Sequence, residues 1–121
     1  LFRAAQVTLG SLVIVSKCEA RSMSELSGSA YCSLKATINQ AESVLLDLFA
    51  PDRFNYLVLM MIDPHVHCHL IPRYEKSRSV FGQKFLDRDW PYPPDLSRRL
   101  EDNSDTNNHV FDLIKNAMSQ D

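Results

Sequence analysis

Asp63-Pro64-His65-Val66-His67-Cys68-His69-Leu70-Ile71-Pro72-Arg73 holds three of the chain's four histidines, at every second position. Along an extended strand, residues i, i+2 and i+4 share a face. The spacing therefore predicts that His65, His67 and His69 project together, about 6.6–7 Å apart. Val66, Cys68 and Leu70 then turn to the opposite face, toward a core. Three imidazoles carry polar nitrogens that are costly to bury without partners. The pattern thus describes a strand with one hydrocarbon face and one row of rings.

Working outward, Tyr56 to Ile62 forms a second apolar run, and Asp63-Pro64 between the runs predicts a tight hairpin turn. Leu57, Val58, Leu59, Met60 and Met61 are apolar on both faces, which predicts a central strand or one covered by a partner. Upstream, Leu34, Ile38, Ala41, Leu45 and Leu48 recur at intervals of four and three, with Ala30, Thr37 and Val44 beside that stripe. This is the stripe of an amphipathic helix. Ser27 or Ser29 supplies its N-cap and Pro51 stops it. Before the helix, Ser11 to Ser16 reads as a buried strand behind Gly10, and Leu1 to Gln6 as a further strand. Residues 17–29 read as a loop with one helical turn.

Downstream the pattern weakens. Ser79 to Phe85 predicts a short edge strand, Trp90 to Pro94 an extended aromatic-proline loop, and residues 95–108 a polar loop. Val110, Leu113, Ile114, Ala117 and Met118 mark a short C-terminal helix capped by Thr106, Asn107 or Asn108. Strands, one long helix, strands and a last helix together indicate an α+β fold with an antiparallel sheet.

Composition bounds the function. A length of 121 residues indicates one domain, able to bury a core without staples. A net charge of −2 does not give the basic surface of a nucleic-acid binder. No run approaches the roughly 20 apolar residues of a membrane span, and no signal-peptide pattern is present. Three widely spaced cysteines, Cys18, Cys32 and Cys68, read as reduced thiols of a cytoplasmic protein. The chain opens at Leu1, inside an apolar stretch, which leaves room for residues before it.

A neutral imidazole is a nucleophile through Nε2 when its Nδ1–H is held by a fixed acceptor such as a backbone carbonyl. Flanking imidazoles can then donate to phosphate oxygens or to a leaving group. This arrangement suits stepwise phosphoryl or nucleotidyl transfer. Two other readings stand beside it. Histidines on one strand can ligate zinc, although no carboxylate or cysteine is placed as a further ligand. They can also be packed or surface residues without chemistry.

His65-Val66-His67-Cys68-His69-Leu70-Ile71 resembles the motif of the histidine triad superfamily, His-φ-His-φ-His-φ-φ with φ apolar. Pro72-Arg73 is similar to the extension in its nucleotide-hydrolysing branches. Leu9-Gly10-Ser11-Leu12-Val13-Ile14-Val15-Ser16-Lys17 is similar to the strand that leads into the family's Pro-Lys loop. The resemblance covers about residues 1 to 75 and implies an antiparallel meander sheet covered by one long helix. It implies a homodimer that hydrolyses or transfers nucleoside monophosphate groups, typically adenylyl, with no metal or other cofactor. Diadenosine polyphosphates and adenylyl conjugates are the implied substrates. His67 matches the nucleophile, His69 the phosphate-contacting donor that helps the leaving group, and His65 the member that orients the nucleophile. Asn55 sits near the Asn that begins a family strand and contacts the nucleotide.

The sequence departs from the family pattern at two places. Glu19 stands where many members carry a fourth histidine, and Ser16 stands in place of the proline. A carboxylate there repels phosphate unless it is paired with Lys17 or Arg21. Met60 to Pro64 replaces a Gly-Gln or Gly-Ser approach to the triad. These departures leave the nucleophile intact, and the alternative they allow is a nucleotide-binding module with little turnover. Arg73, Lys76 and Arg78 could neutralise distal phosphates. Trp90 and Tyr92 could stack on a base, although such a loop also simply packs. His109 reads as an ordinary helix-start residue and Cys68 as core.

Overall fold

A computed structural model of the protein describes residues 1–100 and 104–119. Strand β1 (Leu12–Val15) is followed by a single 3-10 turn at Met23–Glu25 and the long helix α1 (Gly28–Phe49). Strands β2 (Arg53–Leu57) and β3 (His67–Arg73) come next, then the small strands β4 (Arg78–Val80) and β5 (Gln83–Phe85), and helix α2 (Ser104–Ser119). The result is an α+β fold with antiparallel pairing throughout.

Helix α1 begins where Ser27 accepts the amide of Ala30 on its Oγ at 3.1 Å, satisfying one otherwise orphaned donor. It ends at Ala50, which takes a left-handed conformation (φ 49°) ahead of Pro51. Its buried side is Ala41, Val44, Leu45 and Phe49. Leu34, Ile38 and Leu48 of the sequence stripe are only half-buried: Leu34 and Ile38 line a cavity between helix and sheet, and Leu48 packs against the edge of the core.

The main sheet has the order β1-β3-β2. Strand β3 therefore occupies the centre, with Leu70 opposite both Leu12 and Tyr56. This corrects the expectation that residues 57–61 are central. The β2 strand ends at Leu57, and Val58, Leu59 and Met61 are exposed beyond it. The hairpin also turns differently. Residues 58–66 connect β2 to β3 as a wide loop, not a tight Asp-Pro turn. Inside it, Asp63 Oδ1 accepts the amide of His65 at 3.0 Å, a local side-chain turn that replaces ladder pairing.

Leu1 to Gln6 does not form a full strand. Phe2 makes one antiparallel bridge to Leu12, and the chain then turns away through buried Gln6. Gly10 (φ 86°) completes that turn, pressed so close to α1 that a Cβ would lie 2.9 Å from Leu45 Cδ2. Residues 78–85 form a two-stranded hairpin, not a lone edge strand. Trp90 to Pro94 folds as a turn with a cis Trp90-Pro91 bond rather than running extended. Helix α2 starts by Ser104, so Thr106, Asn107 and Asn108 lie inside it and are not its cap.

The core joins these pieces. Leu9, Leu12, Ala41, Leu45, Phe49, Leu70, Tyr74, Phe85, Val110 and Ile114 form one buried cluster. It lies on the face of β3 that carries Leu70, which leaves the opposite face for the histidines. Among the described residues, no helix is long and apolar enough to cross a membrane.

Candidate active site

The site grows from the register of the sheet. Directly opposed residues in an antiparallel pair point to the same face. Val15 lies opposite His67, and Val13 and Leu57 flank His69. Asn55 lies opposite Ile71, two positions along the same face from His69. His67 and His69 thus share the face turned away from the core. Their rings meet edge to face with centroids 5.2 Å apart.

His65 stands just ahead of β3, a correction to the strand expected from His65 onward. The backbone of the next residue, Val66, is held by the loop after β1. Val66 N–H donates to Ala20 O at 2.8 Å, and Ser16 N–H donates to Val66 O at 3.1 Å. The His65 ring turns back so that Nε2–H donates to Ser16 O at 2.6 Å. A carbonyl only accepts, so this contact fixes the proton of His65 on Nε2.

The same reasoning fixes His67. Its Nδ1 lies 2.6 Å from the carbonyl oxygen of His65 and must donate to it. A neutral imidazole carries one N–H, so Nε2 of His67 holds the lone pair. The residue is half-buried, and a cavity of about 560 Å³ between the loop after β1, the N-terminal half of α1 and β3, on the side of β3 that Cys68 faces, has His67 among its lining residues. Lys17 and Cys68 line the same cavity.

His69 is in a different state. Its Nδ1 is buried with no hydrogen-bond partner. Burial lowers its proton affinity, and the charge of Arg3 and then His67 lower it further. His69 is therefore disfavoured from carrying a positive charge.

The remaining sequence candidates divide. Glu19 borders a second cavity of about 540 Å³ with Arg21, Glu25, Asp63 and His65. Both Lys17 and Glu19 are exposed, and among the described residues no ion pair joins Glu19 to Lys17 or Arg21. Arg73 is buried, with Nε 2.7 Å from Asp87 Oδ2. Its Nη1 donates to Asn55 Oδ1 at 2.6 Å and its Nη2 to Tyr92 O at 2.7 Å. Asn55 and Arg73 are thus tied to each other and to Asp87, so this guanidinium is already matched by a carboxylate. Arg78 is likewise engaged with the carbonyls of Phe49 and Ala50, away from the histidines.

Sequence reasoning missed Asp87 and Arg3. Asp87 sits in a loop with no periodic signal. Arg3 belongs to a segment whose side toward the site is defined only once Phe2 is seen to pair with Leu12. Among the described residues, no group of three or more His, Cys, Asp or Glu side chains is arranged to hold a metal ion.

No protein-family model and no curated protein matches the sequence. Solved structures do match its fold. One is a hypothetical histidine triad nucleotide-binding protein from Sulfolobus tokodaii strain7. It has a TM-score of 0.70 and 16% identity, over 98% of this chain and 76% of that one. Another is a histidine triad protein from Bradyrhizobium japonicum, with a TM-score of 0.66 and 18% identity, over 96% of this chain and 79% of that one.

Proposed function

Starting from the histidine triad fold that this chain has, we propose that it binds a nucleotide and transfers or hydrolyses its α-phosphoryl group through His67. One observation carries the reading. The 2.6 Å bond from His67 Nδ1–H to the His65 carbonyl places the lone pair of the neutral ring on Nε2 and holds it in orientation. In the first step Nε2 bonds to the α-phosphorus. The bond from phosphorus to the bridging oxygen breaks, and its electron pair leaves on the departing phosphate. Water then attacks the same phosphorus, the N–P bond breaks, and the nucleoside monophosphate leaves with His67 restored.

His65 acts through its carbonyl on His67 and through its ring on Ser16. The neutral ring of His69 supplies a hydrogen bond to the phosphate and the leaving group. Lys17, in the loop after β1, offsets phosphate charge in this reading, and Glu19 and Asn55 bound the site further out. Arg73 serves it indirectly, by holding Asn55. Diadenosine polyphosphates and related adenylyl conjugates are the substrates of this reading. No cofactor enters it. It extends to a single domain over residues 1–121 in the cytoplasm.

The test is labelling with a diadenosine polyphosphate radioactive at the α-phosphorus. Wild-type protein acquires an acid-labile adduct and releases mononucleotide. His67→Ala keeps its circular dichroism and loses turnover by more than about a thousandfold. Undiminished turnover by His67→Ala overturns the proposal. A second reading is favoured by exposed Glu19 beside His65, a carboxylate that opposes a polyphosphate. Nucleotide binding by wild type with neither adduct nor product selects that reading, a binding module.

The proposal also includes a homodimer, supported by the exposed Leu59, Met61 and Ile62 next to the edge strand β2. Sedimentation equilibrium then reads about twice the 13.8 kDa chain mass. A single-chain mass at all concentrations removes this part of the reading.

A further inference from the structure

The histidine motif does not include Arg3, yet the sheet brings that residue to the same face. Phe2 bridges Leu12, and Arg3 N–H donates to Ser11 O at 3.1 Å. Arg3 is thereby paired across from Ser11. Ser11 shares its face with Val13, and Val13 lies opposite His69. The Arg3 side chain accordingly lies on the histidine face, one row along from His69.

Its backbone is fixed there. Gln6, itself buried, donates from Nε2 to Arg3 O at 2.5 Å and to Ser11 O at 2.8 Å. Gln6 Oε1 accepts the amides of Gly10 and Ser11. One side-chain amide thus clamps the turn on which Arg3 sits.

Two buried polar atoms on this face have no hydrogen-bond partner, Arg3 Nη1 and His69 Nδ1. They are complementary. A guanidinium nitrogen only donates, whereas an imidazole nitrogen without a proton only accepts. The other ring nitrogen of His69, Nε2, is not sealed in the same way. Sealing an Nδ1–H beside a cation, with no acceptor, would cost more than presenting a lone pair there.

We propose that Arg3 is the positioning residue for His69: it draws the Nδ1 lone pair toward its guanidinium and so places the single N–H of the ring on Nε2, facing the bound phosphate. The inference rests on the nucleotide reading above only for what Nε2–H then meets. The groups that act on His69 agree with it. Arg3 from the N-terminal segment and His67 from β3 both add to burial in disfavouring the imidazolium, and Arg99 adds positive charge beside Arg3. A neutral ring with a defined tautomer donates a hydrogen bond without carrying a charge of its own.

The experiment reads the ring directly, by long-range 1H–15N correlation of the histidines in the full chain without nucleotide. Wild-type His69 shows the Nε2–H tautomer and titrates below an ordinary imidazole. In Arg3→Gln the tautomers mix and the titration moves up toward the ordinary range. Arg3→Lys retains the charge and with it the wild-type pattern. An Nδ1–H tautomer in wild type overturns the proposal, and so does an unchanged His69 in folded Arg3→Gln. If Arg3→Gln does not fold, the wild-type tautomer and Arg3→Lys decide. Because no nucleotide is present, failure of the His67 adduct chemistry and failure of this proposal are read separately.

Discussion

At the scale of single residues, the three imidazoles are chemically distinct although the sequence repeats them evenly. His65 carries its proton on Nε2 and His67 on Nδ1, each held by a carbonyl at 2.6 Å. His69 holds no such bond at Nδ1, and burial, Arg3 and His67 depress its proton affinity. The consequence for stability has a definite sign. The unfolded chain takes up a proton on this ring near pH 6.5, and the folded chain does so only at lower pH. Stability from His69 is therefore complete above that value. It is lost as pH falls from about 6.5 toward the folded titration point, and the loss levels off below it. Urea midpoints at pH 7.5 and 5.5 check this: the acid-side drop is smaller in His69→Gln than in wild type. The residue types and the alternation were legible in the sequence, since period 2 alone puts His67 and His69 on one face. The tautomers of His65 and His69 were not, because they depend on Ser16 and on Arg3, which local spacing does not bring to these rings.

At the scale of elements, the long helix was readable because its determinants are local. Ser27 caps it, the apolar stripe buries Ala41 and Leu45, and Pro51 follows its end. Strand limits were less readable. Residues 58–62 carry strand-forming side chains but leave β2 at Leu57, since no neighbouring backbone pairs with them. The start of β3 was displaced to His67 for the converse reason, as the backbone of Val66 is taken by Ser16 and Ala20. The pairing of Arg73 with Asp87 was hidden by distance along the chain. That ion pair, side chains 4% and 1% exposed, ties β3 to the loop after β5. Asp87 also accepts the amide of Tyr74 at 3.1 Å. Asp87→Ala leaves a buried guanidinium uncompensated, with an expected loss of about 3–5 kcal/mol in chemical denaturation. A loss under about 1 kcal/mol would show that water reaches Arg73.

At the scale of the whole molecule, α1, α2, β1, β3 and β5 all contribute to one buried cluster. Tyr74 adds a polar tie, donating from its hydroxyl to Leu9 O at 2.8 Å deep in that cluster. Far-ultraviolet circular dichroism and the fluorescence of Trp90 should accordingly lose their folded signals at one denaturant concentration. Two separated transitions would divide the chain into independent units and contradict the single-domain reading. The α+β class followed from the order of periodic segments. The position of β3 between β1 and β2 did not, because strand order is a long-range property. The exposed Met61 and Ile62 show the same limit: apolar character predicts burial, and the chain alone does not supply it.

The peptide between His65 and His67 is suspended on both sides from residues 16–20, through Ala20 O and Ser16 N. Loop length there is consequently more constrained than loop identity. Cys18 and Glu19 can drift in side chain while the two anchoring backbone groups stay in step, whereas the Ser16 hydroxyl, bonded to the Cys18 backbone, helps to hold them. Adding or deleting one residue between the anchors would throw the suspended peptide out of phase and turn the neighbouring imidazole off its line of attack.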